Sequence, residues 1–227
     1  MNAKRILVYG AGGHGKVVAD IALARAEDRF AGFVDDREEL WGTKVMGFPV
    51  AGGSEWLSQE SGNSRVAVAM GVGENRTRQM LAEDCARLAI ELVTLVHPAA
   101  TVSRTAQLGG GTVVMAGAII NADARVGPAA IVNSAAVIEH DVEVGDYAHV
   151  APNSTMAGAC RLGAFSHLGL GAIVLPGVCI GSHTIVGAGA VVTRNLPDGV
   201  VAIGIPARIY RYREENELSV KTTVYAR

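Results

Sequence analysis

From Val102 to Val192 a large aliphatic side chain recurs at every sixth position, through Leu108, Val114, Ile120, Val126, Val132, Ile138, Val144, Val150, Met156, Leu162, Leu168, Val174, Ile180 and Val186. Four residues after each of the first fifteen, from Ala106 and Thr112 to Thr184 and Ala190, comes a small or β-branched residue. Helices repeat every 3.6 residues and strands every 2, so neither yields a strict period of six. A coil with three short flat sides does, the aliphatic filling its interior and the small residue sitting near a corner. Such coils stack into a β-helix with one continuous core. The period is also a ruler: residues 18 apart lie one above the other.

The first hundred residues follow another pattern. Residues 6–9 are an apolar strand, followed by the cluster Gly10, Gly12, Gly13, His14, Gly15 and an amphipathic helix over 16–26 with Val17, Ile21 and Ala24 inward. A second strand at 30–34 ends at Asp35 and Asp36, and 45–50 reads as a further short strand. Ser54 is placed to cap a short helix at 55–58. A strand at 66–70, a helix at 75–89 and a last strand at 92–96 complete an alternation that specifies a small parallel α/β, Rossmann-like domain. The boundary is set at His97-Pro98, giving an α/β domain at 1–97, a β-helix at 98–208 and a mixed, charged tail at 209–227.

Composition narrows the function classes. Roughly half of the 227 residues are hydrophobic but only 5% are aromatic, which suits tightly turning coils. A net charge of −2 gives no reason to expect nucleic acid as a partner. The mean hydropathy is positive, yet the most apolar stretch, 172–192, holds Pro176, His183 and several glycines in the six-residue phase, so no membrane insertion is expected. Three scattered cysteines and a start without a signal-peptide pattern point to a reducing, cytoplasmic setting. The histidines lack ligand-like spacing, so no metal is expected.

Two groups of residues carry chemistry. The glycine cluster after the first strand, with Asp35 and Asp36 about 20 positions on, fits a turn that brings a pyrophosphate to a helix N-terminus. That spacing alone does not choose between a dinucleotide and a nucleotide-sugar, and the pattern is also compatible with a ligand-free turn. Within the repeats, Gly109, Gly127, Gly145, Gly163, Gly169, Gly181 and Gly187 follow the aliphatic position and are expected where the backbone turns. Histidines are not needed to build a coil. His140 lies beside Asp141, a carboxylate able to orient it, and the ruler puts Gly158 one coil above, with a bare backbone N–H. His149 and His167 share a column; His167 and His183 read as parts of the wall.

The repeats resemble the left-handed β-helix (hexapeptide-repeat) acyltransferases, and the left-handedness is taken from that resemblance. The Tyr-Gly-Ala-x-Gly-His-Gly start, Asp35-Asp36, the turn Gly71-Val72-Gly73-Glu74-Asn75-Arg76-Thr77-Arg78, Val137-Ile138-Glu139-His140-Asp141 and Gly204-Ile205-Pro206-Ala207-Arg208 are similar to one branch, the nucleotide-amino-sugar N-acetyltransferases. Its relatives include enzymes of bacillosamine and perosamine synthesis and others described as sialic acid O-acetyltransferases. The resemblance implies a homotrimer with acetyl-CoA between the β-helices of neighbouring subunits. It implies His140 as catalytic base, Asp141 as its partner, His149 against the acetyl group and Gly158 N–H on its carbonyl, with Ala188, Pro206 and Arg208 along the acetyl-CoA. Asn133 and Asn75 would serve the nucleotide-linked amino-sugar, whose diphosphate would meet Gly10, Gly12, Gly13, His14, Gly15, Asp35 and Asp36. The expected activity is direct acetyl transfer to a sugar amine. Sugar O-acetylation and a non-catalytic nucleotide-binding scaffold are the alternatives, and an NAD-dependent oxidoreductase is the weakest.

Overall fold

The computed structural model describes residues 4–25 and 29–214. The first three residues, residues 26–28 and the tail from 215 onward lie outside the described residues.

In the amino-terminal domain, β1 (Arg5–Tyr9) pairs in parallel with β2 (Arg29–Val34). Two pieces off the main sheet, β3 (Lys44–Val45) and β4 (Phe48–Pro49), form a hairpin, and β5 (Val66–Met70) and β6 (Glu91–Leu92) complete the sheet in the order β2-β1-β5-β6. The single strand expected over 45–50 is this hairpin because Met46 and Gly47 take positive φ and reverse the chain. Helix α1 (Gly13–Ala24) begins three residues before the periodicity predicts, so His14 and Gly15 sit in its first turn. Gly15 must be glycine, since a Cβ there would lie 1.7 Å from the Gly10 carbonyl oxygen. The inward face is also corrected. Val18, Ala19, Ile21 and Ala22 are buried, whereas Val17 and Ala24 are exposed. Helix α2 (Ser54–Gln59) has Gly53, not Ser54, at its N-cap; the Asp36 carboxylate accepts the Ser54 N–H instead. Helix α3 (Asn75–Arg87) is capped by Glu74, which accepts from the Arg76 and Thr77 N–H groups.

The strand expected over 92–96 divides. Val93 N–H still donates to Val68 in the α/β sheet, but Leu95 N–H donates to Thr112, and Leu95–Val96 pairs with Val113–Val114 of the solenoid. The changeover between the two architectures therefore falls between Leu92 and Leu95.

The ruler holds throughout the solenoid. Two-residue strands pair in parallel with strands 18 residues away, His149 with His167 and Ile138 with Met156 among them. The interior aliphatics from Val114 to Val192 are all nearly inaccessible, and Val102 and Leu108 of the first coil are partly buried against them. The hydroxyls among the small interior residues are satisfied: Thr112 donates to Gly127, Ser166 to Gly181 and Thr184 to Pro197 carbonyls.

Corner geometry differs from expectation. The left-handed conformation falls three residues after each aliphatic, at every sixth residue from Gly111 to Gly189, and most of these positions are not glycine: Asp123, Ala129, Ala135, Asp141, Tyr147, Asn153, Ala159, Phe165 and His183 all have φ between 50° and 60°. The glycines directly after the aliphatic serve close approach instead. A Cβ on Gly109, Gly145 or Gly163 would lie 2.4–2.5 Å from the backbone nitrogen of the next coil. The cost of the left-handed aromatics is offset by stacking, Tyr147 on Phe165 at 5.0 Å and Phe165 on His183 at 4.8 Å between centroids.

The three faces of the prism have different fates. The first, carrying the strands at 113–114, 131–132, 149–150 and 167–168, is covered by the α/β domain: Leu95, Val113 and Ile131 pack outward against Val18, Ile21 and Phe33. The third presents the alternating charges Arg125, Glu143 and Arg161 in register. The second presents Ile119, Val137, Ile173 and Val191, with Ile119 and Ile173 exposed. Above Val186, Val200–Ile203 extends the first face, and Arg208–Tyr212 returns antiparallel on its edge.

Candidate active site

His140 and Asp141 form the turn between the second and third faces. Asp141 occupies the left-handed corner, which an Asp tolerates better than most residues. His140 Nδ1–H donates to Asp141 Oδ2 at 2.8 Å, because a carboxylate can only accept. This leaves the Nε2 lone pair free, and that bond above all, against desolvation and with the charges of Asp141 and Glu139 adding to it, holds the imidazole pKa above its usual value. The ring is mostly solvent-facing and lies flat against Gly158: a Cβ there would sit 2.5 Å from both His140 Cε1 and Nε2. The Gly158 carbonyl accepts from Gly177 N–H in the next coil. A neutral base with a directed lone pair and an adjoining bare peptide is suited to removing a proton beside a polarised carbonyl.

A second cluster lies over the first face, beneath the amino-terminal domain. Asn133 Oδ1 accepts from Ser134 N–H, which turns its Nδ2 toward His149 Nε2 at 3.0 Å. His149 therefore carries its proton on Nδ1, on the side of the Gly73 backbone. His167 meets the His149 ring edge-on at 4.8 Å and His14 lies 6.2 Å away, its Nε2 buried without a partner among the described residues. Burial, and then the nearby Arg78 charge, push His14 and His167 down to about 4. Burial drives His149 well below the usual range, with His167 and Arg78 adding to it. This group is neutral at pH 7.

Arg78 holds the two domains together. It is fully buried, donates to the carbonyls of Gly73, Ala129 and Tyr147 and to Asn75 Oδ1, and burial lowers its pKa to about 9. Asn75 adds a bond to the Phe165 carbonyl, so its amide is a strut between domains. The sequence offers no sign of either role beyond the motif they belong to.

The glycine-rich turn is open at Gly13, where a Cβ would meet nothing within 4 Å. Asp35 and Asp36 are engaged by the protein. Asp35 Oδ2 accepts from Ala11 N–H at 2.7 Å, and both of its oxygens grip Arg37. Burial opposes its ionisation, but these bonds outweigh it and hold the carboxyl at about 2. Asp36 accepts from Tyr9 Oη and from Ser54 N–H. Ala188, Pro206 and Arg208 are exposed at the carboxyl-terminal end of the prism; Ala207 N–H hooks this segment to the Val191 carbonyl on the second face. A furrow along the third face, lined by Arg125, Glu143, Arg161 and the glycine column, does not include His140.

One chain thus carries two separate clusters. His140, Asp141 and Gly158 meet at the corner between second and third faces, whereas His14, Asn133 and His149 meet over the first.

Residues 5–85 match the PglD N-terminal domain family. Over 121 residues, half of this chain, the sequence is 41% identical to UDP-N-acetylbacillosamine N-acetyltransferase of Bacillus subtilis, and the alignment spans 52% of that relative's length. Among solved structures the chain is similar to a histidine-to-asparagine variant of perosamine N-acetyltransferase from Caulobacter crescentus in complex with CoA and GDP-perosamine, with 41% identity, a TM-score of 0.86, and coverage of 92% of this chain and 98% of that one. It is also similar to the acetyltransferase domain of PglB from Neisseria gonorrhoeae in complex with acetyl coenzyme A, with 36% identity, a TM-score of 0.86, and coverage of 92% and 100%. Among the described residues no helix is long and apolar enough to cross a membrane.

Proposed function

The chain belongs to the PglD-like hexapeptide-repeat N-acetyltransferases of nucleotide-sugar pathways, and from that premise we propose that it transfers the acetyl group of acetyl-CoA to the amine of a nucleotide-linked amino-sugar. The observation that carries this reading is the His140–Asp141 pair laid against Gly158. The amine nitrogen attacks the thioester carbonyl while His140 Nε2 takes its proton. The new C–N bond forms, the C–S bond breaks, and the proton passes to the departing CoA thiolate. Gly158 N–H faces the oxygen on which charge develops, and no covalent enzyme intermediate is required.

The functional unit in this reading is a homotrimer. His140 and the His14–Asn133–His149 group occupy different sides of one prism, so a site using both draws them from neighbouring chains. The bare second face, with Ile119 and Ile173, supplies an apolar surface for such packing. Acetyl-CoA then lies between adjacent prisms, with Ala188, Pro206 and Arg208 toward its far end. Each subunit's glycine-rich turn receives the nucleotide.

CoA release measured with GDP-perosamine and with UDP-linked 4-amino sugars tests the activity. His140→Ala should lower kcat/KM by about 10²–10⁴-fold, the usual contribution of a general base. Near-wild-type turnover in that variant would remove the assignment. Turnover of the 4-hydroxy analogue in preference to the 4-amino sugar would make the enzyme an O-acetyltransferase.

A further inference from the structure

The acidic pair at the end of β2 occupies the place where a nucleotide-binding α/β domain presents a carboxylate to its ligand, at the carboxyl ends of the strands. Here both carboxylates are already engaged by the protein, Asp35 buried and Asp36 at the surface. Asp35 takes the Ala11 N–H and the Arg37 fork, and Asp36 takes Tyr9 and the first N–H of α2. What they hold in place is more telling. The Arg37 Nε and Nη2 groups are clamped at 2.9 and 2.8 Å by Asp35, leaving three of the five guanidinium N–H bonds unused by that carboxylate. The side chain is half exposed and reaches the rim of the glycine-rich turn, where a Cβ on Gly12 would come within 3.9 Å of Nη2. The first turn of α1 has no acidic residue to compete for it. Trp41 is fixed as firmly. Its Nε1–H donates to the Asp35 carbonyl at 2.7 Å, and its Cζ2 edge lies against Gly53, where a Cβ would be 3.1 Å away. Yet Trp41, at the end of the 3-10 turn Glu38–Leu40, stays 40% exposed. A large aromatic side chain held open on the Asp35 backbone, and a cation clamped by the Asp35 carboxylate at the rim of the glycine turn, suit a base with a diphosphate attached.

We propose that Arg37 and Trp41, rather than the carboxylate of Asp35, read the nucleotide of the substrate: the Arg37 guanidinium takes a diphosphate oxygen and the Trp41 indole stacks on the base. This rests on the nucleotide-sugar reading above and assigns that substrate's nucleotide end to two side chains. Asp35 becomes a positioning residue that sets both.

The test titrates UDP, GDP and dTDP separately into the full-length protein without acetyl-CoA, following tryptophan fluorescence and, by calorimetry, the affinity for each diphosphate in every variant, with CoA affinity measured in parallel. Wild-type protein should show a saturable change with at least one diphosphate. In Trp41→Phe that signal should vanish, since only Trp56 remains to report, and the dissociation constant should rise. Trp41→Ala should weaken binding about tenfold or more, the range that base stacking supplies. Arg37→Met should weaken the diphosphate about tenfold or more while sparing the corresponding monophosphate, the loss expected on removing a charge-assisted hydrogen bond. In each variant KM for the nucleotide-sugar should rise with kcat and CoA affinity nearly unchanged. Unchanged diphosphate affinity in folded Trp41→Ala and Arg37→Met would overturn this proposal alone. If wild-type protein binds CoA but none of the diphosphates, the nucleotide-sugar reading fails and this proposal falls with it.

Discussion

Replacing Gly158 by alanine is the sharpest probe of the His140 corner. The added methyl would sit 2.5 Å from Cε1 and Nε2 of the imidazole, about 0.9 Å inside ordinary contact at 3.4 Å. Gly158 does not occupy the left-handed region, so the alanine backbone itself is unstrained. The ring is mostly exposed and free to swing outward, so relief comes from displacing the base rather than from distorting the prism. The expected result is an unchanged melting temperature with kcat/KM lowered about 100-fold, since a reacting group misplaced by about 1 Å costs about that much. Steady-state CoA release across substrate concentrations should place the loss in kcat, with KM for both substrates little altered. Combined with His140→Ala, the substitution should add almost nothing, because both act through one imidazole. Full activity in Gly158→Ala, or losses that multiply in the double variant, would refute the claim that this glycine serves by seating the ring.

Other outcomes follow from the same structure. A base must be neutral to act and the His140 pKa is raised, so kcat/KM should climb with pH through a midpoint above 6.5; in Asp141→Asn this acid limb should move to lower pH and the plateau should drop, as a pH–rate profile will show. His14 and His167 are held near 4 and His149 is lowered as well, so folding stability should be whole above pH 6.5 and decline as pH falls toward 4, where the unfolded chain binds protons the folded one refuses; urea midpoints at pH 8 and pH 5 test this, and His167→Phe should flatten the slope. Arg78→Met should cost about 3 kcal/mol or more by stranding buried carbonyls between the domains, measured by chemical denaturation. Gly145→Ala should cost about 1–3 kcal/mol, since its methyl would press on the Ala164 nitrogen at 2.5 Å with backbone on both sides.

The solenoid was legible because its rule is local and repeated. Each aliphatic states the phase, and counting by 18 places His149 under His167 and His140 under Gly158 before any coordinate is known. Counting does not reveal which residue of a corner turns left-handed. That depends on how coils press together, and the glycines directly after the aliphatics proved to mark contact rather than twist. The α/β domain was legible as alternation but not in its facing. Val17 and Val18 both satisfy a helical pattern, and only docking against Leu95 and Ile131 selects Val18. The acidic pair illustrates the same limit: spacing places Asp35 and Asp36 beside the turn, but whether a carboxylate greets a ligand or clamps Arg37 depends on partners distant in sequence. Arg78 gave no signal, since burial of a guanidinium among carbonyls of another domain leaves no mark on its own helix.

Two-residue strands in strict register impose a rule of arithmetic on length. Removing one residue from any coil would turn every later interior side chain toward solvent, whereas inserting eighteen between Gly158 and Gly204 would lift the terminal hook by about 4.8 Å and leave each column intact. The distance from His140 to the terminal hook is therefore quantised in whole storeys by the fold itself.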